Sequence, residues 1–181
     1  MNTKAIPKHY SLPSRLLHWV TAVAVLALFA VGLWMVDLTY YSEWYKTAPH
    51  WHKSLGILLA LATLIRLGWK WWSGAPAVEG KAYEIFIAKW VHSFLYVLLF
   101  VMFFSGYLIS TADGRAIAVF NWFEVPSLGQ LFDNQPDIAG EVHYYSAMIL
   151  MVLALIHGLA ALKHHYVDKD NTLRKMLGER K

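Results

Sequence analysis

Five histidines fall in or at the mouths of long apolar runs: His18, His52, His92, His143 and His157. A further one, His9, lies in a polar lead and needs no partner beyond water. An ionisable side chain inside hydrocarbon is costly enough to count as a functional candidate. A single such imidazole is explained by a hydrogen bond across a bundle; five in one short chain ask for chemistry. His143 and His157 are fourteen residues apart, which on a helix brings them back to within about 40° of one direction and about 21 Å apart along the axis. They therefore occupy one helix face at two depths. With helices alternating in direction, the five form two layers: His52 with His143, and His18 with His92 and His157. Facing imidazoles at one depth in an apolar bundle suit axial ligation of a b-type haem. Zinc calls for a third or fourth ligand, and no carboxylate is expected at those depths. A proton relay would also use such carboxylates.

The elements that position these residues follow from the apolar blocks. The 181-residue chain is 57% hydrophobic and 15% charged. Its apolar residues come in four nearly uncharged blocks, each about 20 residues long, the length that crosses about 30 Å of hydrocarbon. The expected architecture is all-α, a transmembrane four-helix bundle, with helices at about 16–36, 52–72, 90–110 and 142–165. The whole chain, 1–181, is expected to form a single transmembrane domain. The first block lacks a small-residue cleavage site and reads as a helix, not a removable leader. Gly32, Gly56, Gly106 and Gly158 would leave room for a flat macrocycle beside the backbone. Pro13 suits a first helical turn, with Ser11 or Ser14 as cap. The stretch "SGAPAVEGKAYEIFIAK" reads as a turn followed by a short interfacial helix. The longest connection, about 111–140, reads as an irregular loop with turn signals at Asp113-Gly114, Val125-Pro126 and Gln135-Pro136.

Charge then orients the bundle. Four crossings put both termini on one side with thirteen of the sixteen Lys and Arg, leaving only Lys46, Lys53 and Arg115 opposite. Basic residues concentrate on the cytoplasmic side, so both termini are expected to be cytoplasmic. The basic tail "KDNTLRKMLGERK" is thereby explained as an anchor at anionic lipid, and nucleic acid is not an expected partner despite a net charge of +4. Trp19, Trp44, Trp51, Trp69, Trp71, Trp72, Trp90 and Trp122 fall near block ends or in loops, as interfacial aromatics do. There is no cysteine, which excludes disulfides, thiolate metal sites, iron–sulfur clusters and c-type haem attachment. Arg15, Lys53 and Arg66 are placed either to pair haem propionates or to anchor the helix ends.

Four segments carry a family likeness: "SRLLHWVTAVAV", "HKSLGILLALATLIRLGWK", "VHSFLYVLLF" and "GLAALKHHYVDKDNTLRKML". Taken together, over nearly the whole chain, they resemble the prokaryotic cytochrome b561 family of four-helix, di-haem b proteins of the bacterial inner membrane. The fold is also similar to the cytochrome b subunits of formate dehydrogenase and nickel–iron hydrogenase. The resemblance implies an outer haem on His52 and His143 and an inner haem on His18 and His157. His50 competes with His52, but "HKSLG" matches the family at His52. His92 stays a lower-ranked alternative, as ligand or as neighbour of the inner haem or quinone. Tyr144 departs from the pattern, since the position after His143 is often acidic, and a contact behind that ligand is expected to differ.

Bis-histidine iron has no open position, so outer-sphere electron transfer is the expected chemistry. The resemblance implies ubiquinone as one partner, and for some members superoxide at the periplasmic face. Lys163, His164 and His165 end the fourth helix at the inner boundary, as candidates beside a quinone or as a basic cluster closing a helix. The outer connections hold seven carboxylates against three bases, which disfavours steering of an anion. A small periplasmic redox protein with a basic face is therefore an alternative donor or acceptor. A third expectation is a haem-bearing anchor subunit of a larger dehydrogenase.

Overall fold

The computed structural model describes residues 7 and 9–178. Lys4, Lys8, Arg180 and Lys181, which enter the charge bias above, lie outside the described residues, as do both termini. Four long helices dominate: α1 (Leu12–Val36), α2 (Thr47–Ser73), α3 (Ala82–Thr111) and α4 (Gln135–Tyr166), followed by a short α5 (Thr172–Leu177). Each of the four is long and apolar enough to cross a membrane. Their outward faces carry exposed Leu16, Val20, Val23, Leu64, Phe104, Val152 and Leu155, which water would not tolerate as one surface but lipid does.

Caps explain why helices outrun the apolar blocks. The Ser11 hydroxyl accepts the Ser14 backbone N–H at 3.4 Å, with Pro13 in the first turn of α1. At the start of α3, the Lys81 N–H donates to the Glu84 carboxylate at 2.9 Å. That cap makes the expected short interfacial helix continuous with α3, because nothing between Ala82 and Lys89 breaks it. Helix α4 likewise starts early, at Gln135, with Pro136 in its first turn.

Helix α1 packs on α2, and α3 on α4; the two helical hairpins meet mainly through α2 and α3. The small apolar core lies between α3 and α4, where Leu98, Leu99 and Leu150 pack with Leu95, Tyr96, Met102, Phe103 and Leu153, and with Val25 of α1. The end of the bundle reached by α5 is called the terminal end, and the opposite one the cap end.

At the cap end the long connection is not irregular. Strands β1 (Ile117–Val119) and β2 (Phe123–Val125) form an antiparallel hairpin with Ile117 opposite Val125. Its turn puts Phe120 and Asn121 at φ 45° and 60°, closed by Trp122 N–H to the Val119 carbonyl at 2.8 Å. Left-handed geometry at both central residues matches the strand twist. Asn121 is not followed by glycine and each strand has three residues, so the sequence signal is faint. Buried Ser54 holds this hairpin to α2, accepting the Phe120 N–H at 3.1 Å and donating to the Ala118 carbonyl at 3.4 Å. Buried Gln135 accepts the Leu131 N–H at 2.7 Å and donates to the Leu108 carbonyl at 2.9 Å. These side chains satisfy backbone groups that would otherwise be orphaned, fixing the segment as a cap.

At the terminal end α5 folds back on the bundle. Arg15 donates to the Leu177 carbonyl at 2.9 Å, Trp19 to the Met176 carbonyl at 3.5 Å, and Lys175 pairs with Glu79 at 2.6 Å.

Candidate haem sites

Toward the cap end, the His52 and His143 rings face one another from α2 and α4, with centroids 6.2 Å apart and planes at 69°. Each ring lies against a glycine. A Cβ on Gly32 of α1 would stand 3.3 Å from His52 Cε1, and one on Gly106 of α3 would stand 3.2 Å from His143 Cε1. Both spacings are tight, so these positions need the missing side chain. Gly56 and Gly158 have no atom within 4 Å of such a Cβ.

Two acceptors face the His143 ring, the Ser105 hydroxyl and the Met102 carbonyl. The Ser105 hydroxyl lies 2.6 Å from the Val101 carbonyl and 2.9 Å from His143 Nδ1. Its one proton goes to the carbonyl, so its oxygen accepts from Nδ1–H, leaving the Nε2 lone pair for a metal. Ser105 was not singled out from the sequence. The available signal was a hydroxyl next to glycine in the middle of an apolar block.

Toward the terminal end three imidazoles gather. His18 and His157 are 6.3 Å apart at 74°, whereas His92 is 5.0 Å from His157. His18 and His157 are half-buried and His92 is exposed on the protein surface. Arg66 Nη2 contacts His18 Nδ1 at 2.8 Å, and its guanidinium lies 5.4 Å from the Tyr96 ring centre.

An imidazole nitrogen sits about 2.0 Å from a first-row metal and about 1.1 Å from its own ring centre, so two axial imidazoles bring their centroids to about 6.2 Å. The His52–His143 and His18–His157 separations match this spacing, and the His92–His157 separation is shorter. The donors are paired imidazoles without carboxylate or thiolate, a set that suits haem iron rather than zinc. The residues present therefore fit two b-type haems.

The other candidates are dispersed. Lys53 lies at the cap end near Asp113, which accepts the Arg115 Nε–H at 2.7 Å. The Arg115 guanidinium holds the Asp113 carboxyl below the usual carboxylate range. The His50 ring packs edge-on to Phe120 at 6.0 Å, not into the His52–His143 pair. Arg15 is engaged by α5. Lys163 pairs with Glu84 at 2.9 Å and Asp168 at 2.7 Å, and His164 Nδ1 lies 2.9 Å from Asp168 and 3.0 Å from Asp170. His165 stacks edge-on against Tyr166 at 4.7 Å.

The chain is also similar to known proteins. Residues 9–179 match the family described as prokaryotic cytochrome b561. The chain is 46% identical to cytochrome b561 homolog 2 of Escherichia coli strain K12, over 96% of this chain and 93% of that protein. It is 26% identical to a protein of Yersinia pestis named probable superoxide oxidase CybB, over 96% and 98%. It is 28% identical to cytochrome b562 of Cereibacter sphaeroides, over 91% and 92%. The chain belongs to the prokaryotic cytochrome b561 family and is a membrane electron-transfer protein of the haem b type.

Proposed function

We propose that the protein carries two haems b and passes electrons across the bacterial inner membrane, between a periplasmic redox partner at the cap end and the ubiquinone pool. The observation that carries this reading is the pair of imidazole couples, 6.2 Å and 6.3 Å apart, at the two ends of α4. His52 and His143 would hold one haem, His18 and His157 the other, with both termini cytoplasmic. The haem supplies a reversible one-electron couple. The chain supplies the rest: two axial nitrogens per site, an apolar surround that excludes water, and the Ser105 hydroxyl that keeps the His143 proton on Nδ1. At the terminal end, Lys163, His164 and His165 border the exit to the cytoplasm. The carboxylates of Glu84, Asp168 and Asp170 around Lys163 and His164 offer acceptors for protons bound for a reduced quinone.

Two donors remain distinct readings. Likeness to a protein named as a superoxide oxidase, together with two cations, Lys53 and Arg115, near Asp113, favours superoxide at the cap end. The seven carboxylates there favour a basic redox protein instead. A haem-bearing subunit of a larger dehydrogenase would co-purify with its catalytic partner.

The test is a pyridine haemochrome assay with a reduced-minus-oxidised spectrum on the purified protein. About two haems b per chain are expected, and no haem would end the reading. His92→Ala should retain both. Superoxide mixed with the oxidised protein and ubiquinone should reduce haem if the oxidase reading holds; no haem reduction rejects it.

A further inference from the structure

Arg66 and Lys70 stand one turn apart on α2, and both reach the same ring: Tyr96 of α3, at 5.4 Å and 5.6 Å from its centroid. Tyr10 completes the group, close enough to interact with both Arg66 and Tyr96. No carboxylate among the described residues pairs with these two cations. Among the described residues, the acids of the terminal end are taken elsewhere: Glu79 by Lys175, Glu84 by Lys163, and Asp168 and Asp170 by His164. Like charges at this helical spacing repel, and at the edge of hydrocarbon such groups seek a counter-charge. A neutral quinone does not supply one.

The single strong hydrogen bond of the pair adds a second constraint. Arg66 has no acceptor, so in its 2.8 Å contact it donates to His18 Nδ1. A neutral ring that accepts at Nδ1 carries its proton on Nε2. An imidazole that ligates through Nε2 carries the proton on Nδ1 and has nothing to offer a guanidinium. Ligation by His18 and the Arg66 contact therefore exclude one another. His143 is the contrast, since Ser105 accepts from its Nδ1–H and the two are compatible.

We propose that Arg66 and Lys70, over Tyr96, form an oxyanion-binding site beside His18, and that Arg66 exchanges His18 for this anion when His18 ligates haem. The anion is a carboxylate or phosphate oxygen group, supplied by a haem propionate or by a lipid headgroup. The site rests on the reading of His18 and His157 as ligands. Arg66 was already a candidate for such a role; Lys70, Tyr96 and the exchange are new. A cation here also raises the potential of the neighbouring haem, because it disfavours the ferric charge.

The test uses the haem-loaded full chain in nanodiscs of phosphatidylcholine, with and without phosphatidylglycerol, comparing Lys70→Gln and Lys70→Arg. The expected result is two haems retained and one midpoint potential lowered in Lys70→Gln. The size should be a roughly tenfold change in that haem's reduction equilibrium, as for a unit charge about 10 Å away at intermediate dielectric. Lys70→Arg should restore it. The same shift in both lipids assigns the anion to the propionate; a shift that phosphatidylglycerol diminishes, because an anionic headgroup already neutralises Lys70, assigns it to lipid. Unmoved potentials in both lipids, with two haems present, overturn the site, and slower quinone reduction with unmoved potentials gives it to quinone instead. Failure of the ligand reading shows separately, as two haems retained in His18→Ala.

Discussion

At the scale of single residues, what matters is where each imidazole keeps its proton. Ser105 spends its hydroxyl proton on the Val101 carbonyl and so receives that of His143. Such a bond makes the ring a stronger donor and favours ferric iron. Ser105→Ala is expected to raise the midpoint potential of the cap-end haem and weaken its retention about 10- to 100-fold, the usual range for losing a partner behind a metal ligand. Ser105→Thr should restore both. An unchanged potential in Ser105→Ala would reduce Ser105 to a packing residue. The sequence shows His143 readily, because an ionisable group in an apolar block is conspicuous, but Ser105 only as one polar residue among neutral ones.

At the scale of elements, the parts outside the apolar blocks separate what pattern reveals from what it hides. The blocks located all four helices, since the need to satisfy every backbone group in lipid leaves little alternative. Their ends, the fusion of the interfacial segment into α3 and the cap hairpin depend on individual hydrogen bonds from Glu84, Ser54 and Gln135. Helix α5 is held in the same way. The Glu79 carboxyl is kept below its ordinary range first by the Lys175 hydrogen bond, then by the Asn171 backbone N–H. A depressed carboxyl stabilises the folded form above the ordinary Glu range near about 4.3, and that contribution is lost as pH falls through the lowered value. Because the Glu79 side chain is 37% exposed, solvent screening keeps the pair to about 1 kcal/mol or less. Hydrogen exchange of 172–177 should therefore accelerate as pH drops below about 4 after correction for intrinsic rates. Glu79→Gln should show the faster exchange already at neutral pH. Equal protection in both proteins across that range would show that Arg15 and Trp19 alone hold α5.

At the scale of the molecule, each imidazole couple is drawn from both helical hairpins: His52 with His143, and His18 with His157. A haem held in either layer would therefore tie one hairpin to the other. Binding to the folded form alone adds stability by mass action, so the haem-loaded protein should melt above the stripped one. The layers lie about 21 Å apart along α4, so they should respond separately. His52→Ala and His157→Ala should each keep about one haem per chain, with the surviving haem's potential little changed. Loss of both haems from either variant would mean that the layers assemble as one unit.

The sequence by itself determined four membrane-length helices, the two depths of the histidines and the family, because hydrophobic length and helical spacing are local properties of the chain. The ring separations come only from the tertiary structure: 6.2 Å for His52 and His143, 6.3 Å for His18 and His157, and 5.0 Å for His92 and His157. It also decided that Ser105 accepts from His143 while Arg66 donates to His18. Those outcomes depend on how α1 to α4 rotate against one another, and on which way a proton points between two heavy atoms. No pattern along one helix records either.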